Sequence, residues 1–197
     1  VQDVAYYAFG PTSDVSLYGP GFGIEYGGDN GIYLPDGSFK AHAGRNILLD
    51  GFLISAPETK LNASQDVTIQ NKSSIAAKTL IQIEALSNLR ITSSSQLVAL
   101  SERDVLSVLL KAVAGNIELD SAYIDATNVE MVSGTGGVSI VNNSNILADV
   151  IKARVMSTGG ELLVSNSILG RGTPSATSLI MLYGEGANGV RFVGDNT

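Results

Sequence analysis

The run Gly136-Gly137-Val138-Ser139-Ile140-Val141-Asn142-Asn143-Ser144-Asn145-Ile146-Leu147-Ala148-Asp149-Val150-Ile151-Lys152-Ala153-Arg154-Val155 decides the fold. Apolar and polar residues alternate around Val138 and Ile140. A small polar corner interrupts them, and a second apolar stretch ends at Ala148. A third follows from Val150. Alternation with period 2 is the pattern of a strand with one buried face.

The same unit recurs on either side. First strands start at Ile47, Val67, Leu89, Ile117, Val138 and Leu162, in steps of 20, 22, 28, 21 and 24 residues. Each is followed by a second short strand, as in Ser95-Gln96-Leu97-Val98-Ala99 and Ala122-Tyr123-Ile124-Asp125-Ala126. A third often follows, as in Leu80-Ile81-Gln82-Ile83 and Asn128-Val129-Glu130-Met131-Val132. A repeat of this length made of alternating strands is the signature of a solenoid. The leucine and asparagine frame of leucine-rich repeats is missing, and most units lack room for a helix. The expectation is one single-stranded, right-handed parallel β-helix over residues 45–197, with about six to seven coils of 20–28 residues. Inward Ile, Val and Leu would form ladders. Asn142, Asn143, Asn145, Asn166, Ser93, Ser94 and Ser95 would sit at corners, where Asn and Ser tolerate unusual φ. The triplets Asn62-Ala63-Ser64, Asn71-Lys72-Ser73 and Asn142-Asn143-Ser144 match a glycosylation sequon but read as corners.

One segment departs from the pattern. Ser101-Glu102-Arg103-Asp104 resembles a capping box, and Leu106, Leu109, Leu110 and Val113 have helical spacing. A coil with an extended corner is preferred to a short helix outside the solenoid.

Residues 1–44 differ from the rest. They hold five of the seven tyrosines, and turn sequences such as Gly19-Pro20-Gly21 and Pro35-Asp36-Gly37 separate short alternating runs. They are taken as a distinct Gly/Tyr-rich segment of short strands. It either caps its own first coil or contacts a neighbouring subunit. Tyr6, Tyr7, Phe9, Tyr18, Phe22, Tyr26 and Tyr33 are the candidate assembly contacts, because large amphipathic rings supply contact area at modest entropic cost. The run Gly189-Val190-Arg191-Phe192-Val193-Gly194 reads as the first strand of a further coil. Its edge is expected to meet more chain or another molecule.

The forms Asn46-Ile47-Leu48-Leu49, Gly115-Asn116-Ile117-Glu118-Leu119 and Gly136-Gly137-Val138-Ser139-Ile140 resemble the β-helical shafts of filamentous-haemagglutinin-type exoproteins and autotransporter-like adhesins. The resemblance covers residues 45–193. It implies an exported surface shaft. Such proteins open with a secretion domain carrying Asn-Pro-Asn-Gly. Gly28-Asp29-Asn30-Gly31 lacks the proline, and residues 1–44 are not assigned to that domain.

Composition narrows function further. The chain has 197 residues, no Cys, one His, no Trp and a formal net charge of −7. Thiolate chemistry is excluded, and multi-His metal sites and Ser–His sites nearly so. An acidic chain argues against nucleic acid as partner. No apolar run is long enough for a membrane-spanning helix. The start Val1-Gln2-Asp3-Val4 looks like a mature chain whose signal peptide has gone, and an extracellular or cell-surface location is expected.

The carboxylates Asp66, Asp120, Asp125, Asp149, Glu118 and Glu130, with Lys152 or Arg154 as basic partner, are the candidates for polysaccharide chemistry. They do not share one phase of the repeat. His42 reads as a surface or cap histidine, and Gly27–Gly31 as a turn rather than a Ca²⁺ loop. The expectation is a non-enzymatic structural or adhesive protein without cofactor or metal. It would polymerise head to tail with itself, and meet a host surface or an extracellular polysaccharide. Two alternatives stand beside it: a polysaccharide lyase or hydrolase, and a trimeric tailspike-like receptor-binding shaft. Leu48, Leu53, Val141 and Leu163 break the alternation and would mark the seam of the trimer.

Overall fold

The computed structural model describes residues 4–8, 15–18, 31–99, 105–170, 179–185 and 189–197; for 4–8 and 15–18 it describes the backbone pairing alone. Strands come in chain order as β1 (Val4–Ala8), β2 (Val15–Tyr18), β3 (Gly31–Tyr33), β4 (Ser38–Ala43), β5 (Ile47–Asp50) and β6 (Leu53–Ala63). Then follow β7 (Val67–Gln70), β8 (Ser74–Ala85), β9 (Leu89–Thr92), β10 (Gln96–Ala99), β11 (Val108–Ala112), β12 (Ile117–Asp120) and β13 (Tyr123–Ser133). The last are β14 (Val138–Val141), β15 (Asn145–Val155), β16 (Leu162–Ser165), β17 (Ile168–Leu169), β18 (Leu179–Gly184) and β19 (Val190–Val193). Among the described residues there is no helix.

The chain is a parallel β-solenoid of about six turns. Short strands of four residues form its first side, one eight-stranded sheet in the order β2-β5-β7-β9-β12-β14-β16-β19. The other eleven strands form a second sheet that bends around the second and third sides. All pairs are parallel, each strand meeting its counterpart one coil away. The six first-strand starts expected from sequence fall on one register column: Ile47, Val67, Leu89, Ile117, Val138 and Leu162, joined by Val15 before and Val190 after.

Alternation does what the period predicts. In β5, β7, β12, β14 and β16 buried and half-buried residues alternate from the first position. Leu49, Ile69, Ile91, Leu119, Ile140 and Val164 stack as a second inward ladder, all fully buried. On the second side Ile54, Ile75, Leu97, Ile124 and Ile146 do the same. Burying each such side chain contributes about 1.5–3 kcal/mol.

The first corner is built from left-handed backbone. Asn71 and Lys72, Ser93 and Ser94, and Asn142 and Asn143 have φ between 54° and 63°; Ser121, Asn166 and Gly51 stand at the same corner with positive φ. Asn and Ser tolerate this region because their short polar side chains bond locally. Ser95, expected at the corner, is instead the buried residue after it, and Asn145 opens β15. The second corner differs from expectation. β6, β8, β13 and β15 run through it as single strands of 11 or 12 residues, and the bend in β6 is taken up by a register shift between Ala56 and Glu58. The chain thus bends without a left-handed residue, and pairing skips Pro57 in β6 and Thr127 in β13 before it resumes.

The helical alternative fails where it can be read. Residues 108–112 are β11, paired with β8 and β13, with Val108, Leu110 and Ala112 buried. Two rows of neighbouring strands compete with one turn of i,i+3 contacts and win. Residues 100–104, which hold the capping-box motif, lie outside the described set. N-terminal strands join the stack too: β1 pairs with β4 from Val4↔Phe39 to Ala8↔Ala43, and β2 with β5. β4, before residue 45, is a full member of the second sheet.

Thr59 is a flaw in an apolar ladder. It is fully buried between Phe39 and Ile81, and its hydroxyl has no hydrogen-bond partner. Val108 and Val129 hold the same position two and three coils on. Thr59→Val keeps the shape and removes an unsatisfied oxygen. It should stabilise the chain by about 1 kcal/mol, seen as a melting temperature roughly 2–4 °C higher by circular dichroism. An unchanged or lower value would count against a dry ladder.

Candidate functional site

The acidic candidates are dispersed by the winding itself. Asp66 stands just before the first side, Glu118 and Asp120 face outward on β12, Asp125 lies on the second side, and Glu130 on the third. Asp149 falls at the bend of β15, with Lys152 and Arg154 beyond it on the third side. Asp66, Asp120 and Glu118 have partners on a neighbouring coil. Asp66 Oδ1 accepts hydrogen bonds from the Asn88 backbone N–H at 2.8 Å and from Asn88 Nδ2 at 3.1 Å. Asp120 Oδ1 accepts from Asn142 Nδ2 at 3.1 Å and from Ser121 Oγ at 3.0 Å. Glu118 pairs with Arg90 at 3.3 Å. Among the described residues no group of three or more His, Asp or Glu is placed to hold a metal ion.

Asp66 belongs to a ladder that the sequence alone did not reveal. Asn46 Oδ1 accepts from the Asp66 backbone N–H, Asp66 from that of Asn88, Asn88 from that of Asn116, and Asn116 from that of Gly137. One short oxygen-bearing side chain per coil thus satisfies a corner amide on the next. The signal was present as Asn or Asp directly before the first strands at Ile47, Val67, Leu89 and Ile117. A second row lies inside the first corner. Ser73 Oγ donates to Gln70 O and accepts from Phe52 N, and Ser144 Oγ donates to Val141 O and accepts from Ala122 N.

The aromatic candidates are placed unequally. Tyr6 and Tyr7 lie in β1, opposite Ala41 and His42, and Tyr18 lies in β2, opposite Asp50. Phe9, Phe22 and Tyr26 lie outside the described residues, as do Gly27 to Asn30. Tyr33 ends β3 and is 66% exposed. With Leu34, Pro35, Pro57 and Lys78 it walls a groove of about 240 Å³, floored by Ser55, Ala76 and Val98. His42 lies in β4, half-buried and opposite Asn62.

The proposed seam residues do not form a seam. Leu48 and Leu163 share one outer column but are separated on it by Thr68, Arg90, Glu118 and Ser139. Val141 faces Asp120 in a different column, and Leu53 lies on the second side. Exposed apolar residues gather elsewhere. Leu86, Val113 and Met156 mark the third corner, interrupted by Gly134.

The larger cluster is on the last coil, where Leu179, Ile180, Met181, Tyr183, Phe192 and Val193 are all exposed. Ile180 and Phe192 sit on inward columns, over Ile151 and Val164, which are fully buried. With Val164, Leu169 and Leu182 they line an apolar hollow of about 390 Å³. Sequence did not separate Phe192 from buried residues, because Val190-Arg191-Phe192 alternates as the other first strands do, whereas Leu179-Ile180-Met181-Leu182-Tyr183 is an unbroken apolar run.

No family model, no curated protein and no solved structure matches the chain.

The ladder is testable at Asp66. Asp66→Asn keeps the accepting oxygen and repeats the residue found at 46, 88 and 116. Its stability should stay within about 0.5 kcal/mol of the parent. Asp66→Ala orphans the Asn88 amide and should cost about 1–2 kcal/mol. Denaturant midpoints measure both, and equal losses would point to a role for the charge instead.

Proposed function

We propose that the chain is an extracellular structural or adhesive β-solenoid, a subunit of a self-assembling surface filament built by head-to-tail stacking. The observation that carries this reading is the exposed apolar cluster on β18 and β19. Ile180 and Phe192 are 47% and 58% exposed on columns whose members from Phe39 to Ile151 and from Leu49 to Val164 are buried. Among the described residues β18 pairs with β15 alone and β19 with β16 alone. Exposed strand edges beside uncovered apolar side chains favour strand addition by another chain. Heterologous contact of that kind propagates into open filaments.

The reading extends the resemblance to haemagglutinin-type shafts, with a host surface or extracellular polysaccharide as the object of adhesion. It gives the protein no reaction, cofactor or metal. The dispersal of the six carboxylates over different sides supports that part. The cysteine-free, Ser-, Asn- and Gly-rich composition supports an extracellular location. The acidic net charge argues against a nucleic-acid partner.

Electron microscopy of the purified protein should reveal fibres whose number rises steeply above a threshold concentration. Deleting residues 1–30, which removes β1 and β2, should abolish them. Dispersed monomers at high concentration would overturn the filament role. Undiminished fibres from the truncated chain would remove the N-terminal segment from the contact.

A further inference from the structure

We propose that the third corner is a docking site for a second copy of this chain, lying alongside the first and running antiparallel to it. The contact is lateral and uses no strand edge, so it is independent of the filament reading.

A ridge of side chains carries it. Leu86, Val113, Gly134 and Met156 hold one position on four successive coils, each amide bonding a carbonyl of the coil before. All four lie inside the stack, with Ser64 before them and Glu185 after. Leu86, Val113 and Met156 are 49%, 42% and 45% exposed. Three apolar knobs thus stand in a line of about 14 Å, with a notch at the third position. The stack itself fixes the notch, because a Cβ on Gly134 would collide with Val113 O. A row of exposed apolar side chains marks a contact with another molecule.

Self-complementarity identifies the occupant. A two-fold axis perpendicular to the shaft, placed between the rungs of Val113 and Gly134, reverses the order of the four positions. It sets Val113 into the copy's Gly134 notch and Leu86 against the copy's Met156, and each contact occurs twice. Charge agrees with shape. Two residues before the ridge, an outward column reads Glu84, Lys111, Val132 and Arg154. The same axis sets Glu84 against the copy's Arg154, again twice, and Lys111 against the copy's Val132. Within one chain their ion pairs are long, Glu84 to Lys111 at 3.9 Å and Arg154 to Glu185 at 3.8 Å, which leaves both open to a better partner.

Other alignments fit worse. Moving the axis half a rung either way sets Lys111 against its own counterpart or against Arg154. A full rung toward Leu86 leaves Met156 opposite Gly44, and a full rung the other way sets Val113 against Glu185. A parallel copy would face the charged column with the opposite flank, where Ser87, Ala114, Thr135 and Ser157 carry no charge. Register is therefore selected by what it avoids as well as by what it pairs. A ridge this narrow buries far less than the ~800 Å² per partner of a stable interface, so the dimer is weak and is best trapped covalently.

Cysteines can trap it, since the chain has none of its own. Residues 86 and 156 lie three rungs apart within one molecule, about 14 Å and beyond reach of a disulfide, but face each other across the contact. The full-length variant Leu86→Cys/Met156→Cys should keep its circular dichroism spectrum, because both sites are exposed. After mild oxidation it should give a discrete covalent dimer on denaturing non-reducing gels, at least tenfold more than Leu86→Cys or Met156→Cys alone. Adding Glu84→Arg to the double variant should lower the yield at least threefold, and adding Arg154→Glu as well should restore it. No dimer from the double variant, equal dimer from a single one, or a yield indifferent to the charge exchange would overturn the antiparallel contact.

Discussion

Everything in this solenoid depends on the pairing of each coil, main chain to main chain and in register, with the coil above and the coil below. A strand of four residues such as β9 has no stability alone. It exists because β7 lies on one side of it and β12 on the other. The same register puts Leu89 between Val67 and Ile117 and Ile91 between Ile69 and Leu119. Backbone hydrogen bonding and aliphatic burial are therefore one constraint, met together or not at all. A coil that slipped by one residue would turn its whole ladder outward.

Corners are where that constraint is hardest to meet, since turning backbone exposes donors that no strand partner can reach. The chain solves this three ways. Left-handed pairs such as Asn142 and Asn143 turn the chain within two residues. Serines just inside, at 73 and 144, tie the turn to the neighbouring coil. Asn46, Asp66, Asn88 and Asn116 send one oxygen each across to the next amide. Further along, glycine takes over beside them. A Cβ on Gly115 would stand 2.6 Å from Ser87 O, and Gly136 and Gly160 are closed in by the carbonyls of Gly115 and Gly136 in turn. At these three positions the backbone lies directly over a carbonyl of the preceding coil, where a side chain does not fit.

How legible the molecule was depends on which of these features is local. First-strand starts from Ile47 to Leu162 are all found where period 2 places them, because alternation is a property of a few adjacent residues. The Asn and Ser corners were legible for the same reason. The continuity of β13 through Thr127 was not, since it depends on bend rather than composition. β11 competed with a helical reading because Leu106, Leu109, Leu110 and Val113 have helical spacing while Val108, Leu110 and Ala112 alternate, and only partners remote in sequence decide between them. The candidate site divides in the same way. Asn46, Asp66, Asn88 and Asn116, each directly before a first strand, were visible, but their joint role needed the stack. Phe192 looks in sequence like Val164. What distinguishes them is exposure, a quantity that alternation does not encode.

The shape of a coil also bears on polarity in the proposed assembly. Two solenoids can meet with unlike edges, continuing the winding, or with like edges about a two-fold axis. The second arrangement requires the outline of the coil to map onto itself when reversed. Here a side of four residues faces a bent side of 11 or 12, with a left-handed corner at one junction and an extended bend at another. Reversal cannot superpose these sides. A tail-to-tail contact could pair the edge of one side at most and would leave the remaining apolar columns open. Stacking unlike edges keeps each side in line with its counterpart and the strands parallel. The constraint that builds each coil, parallel pairing in register, thus also favours a filament with direction over a closed dimer.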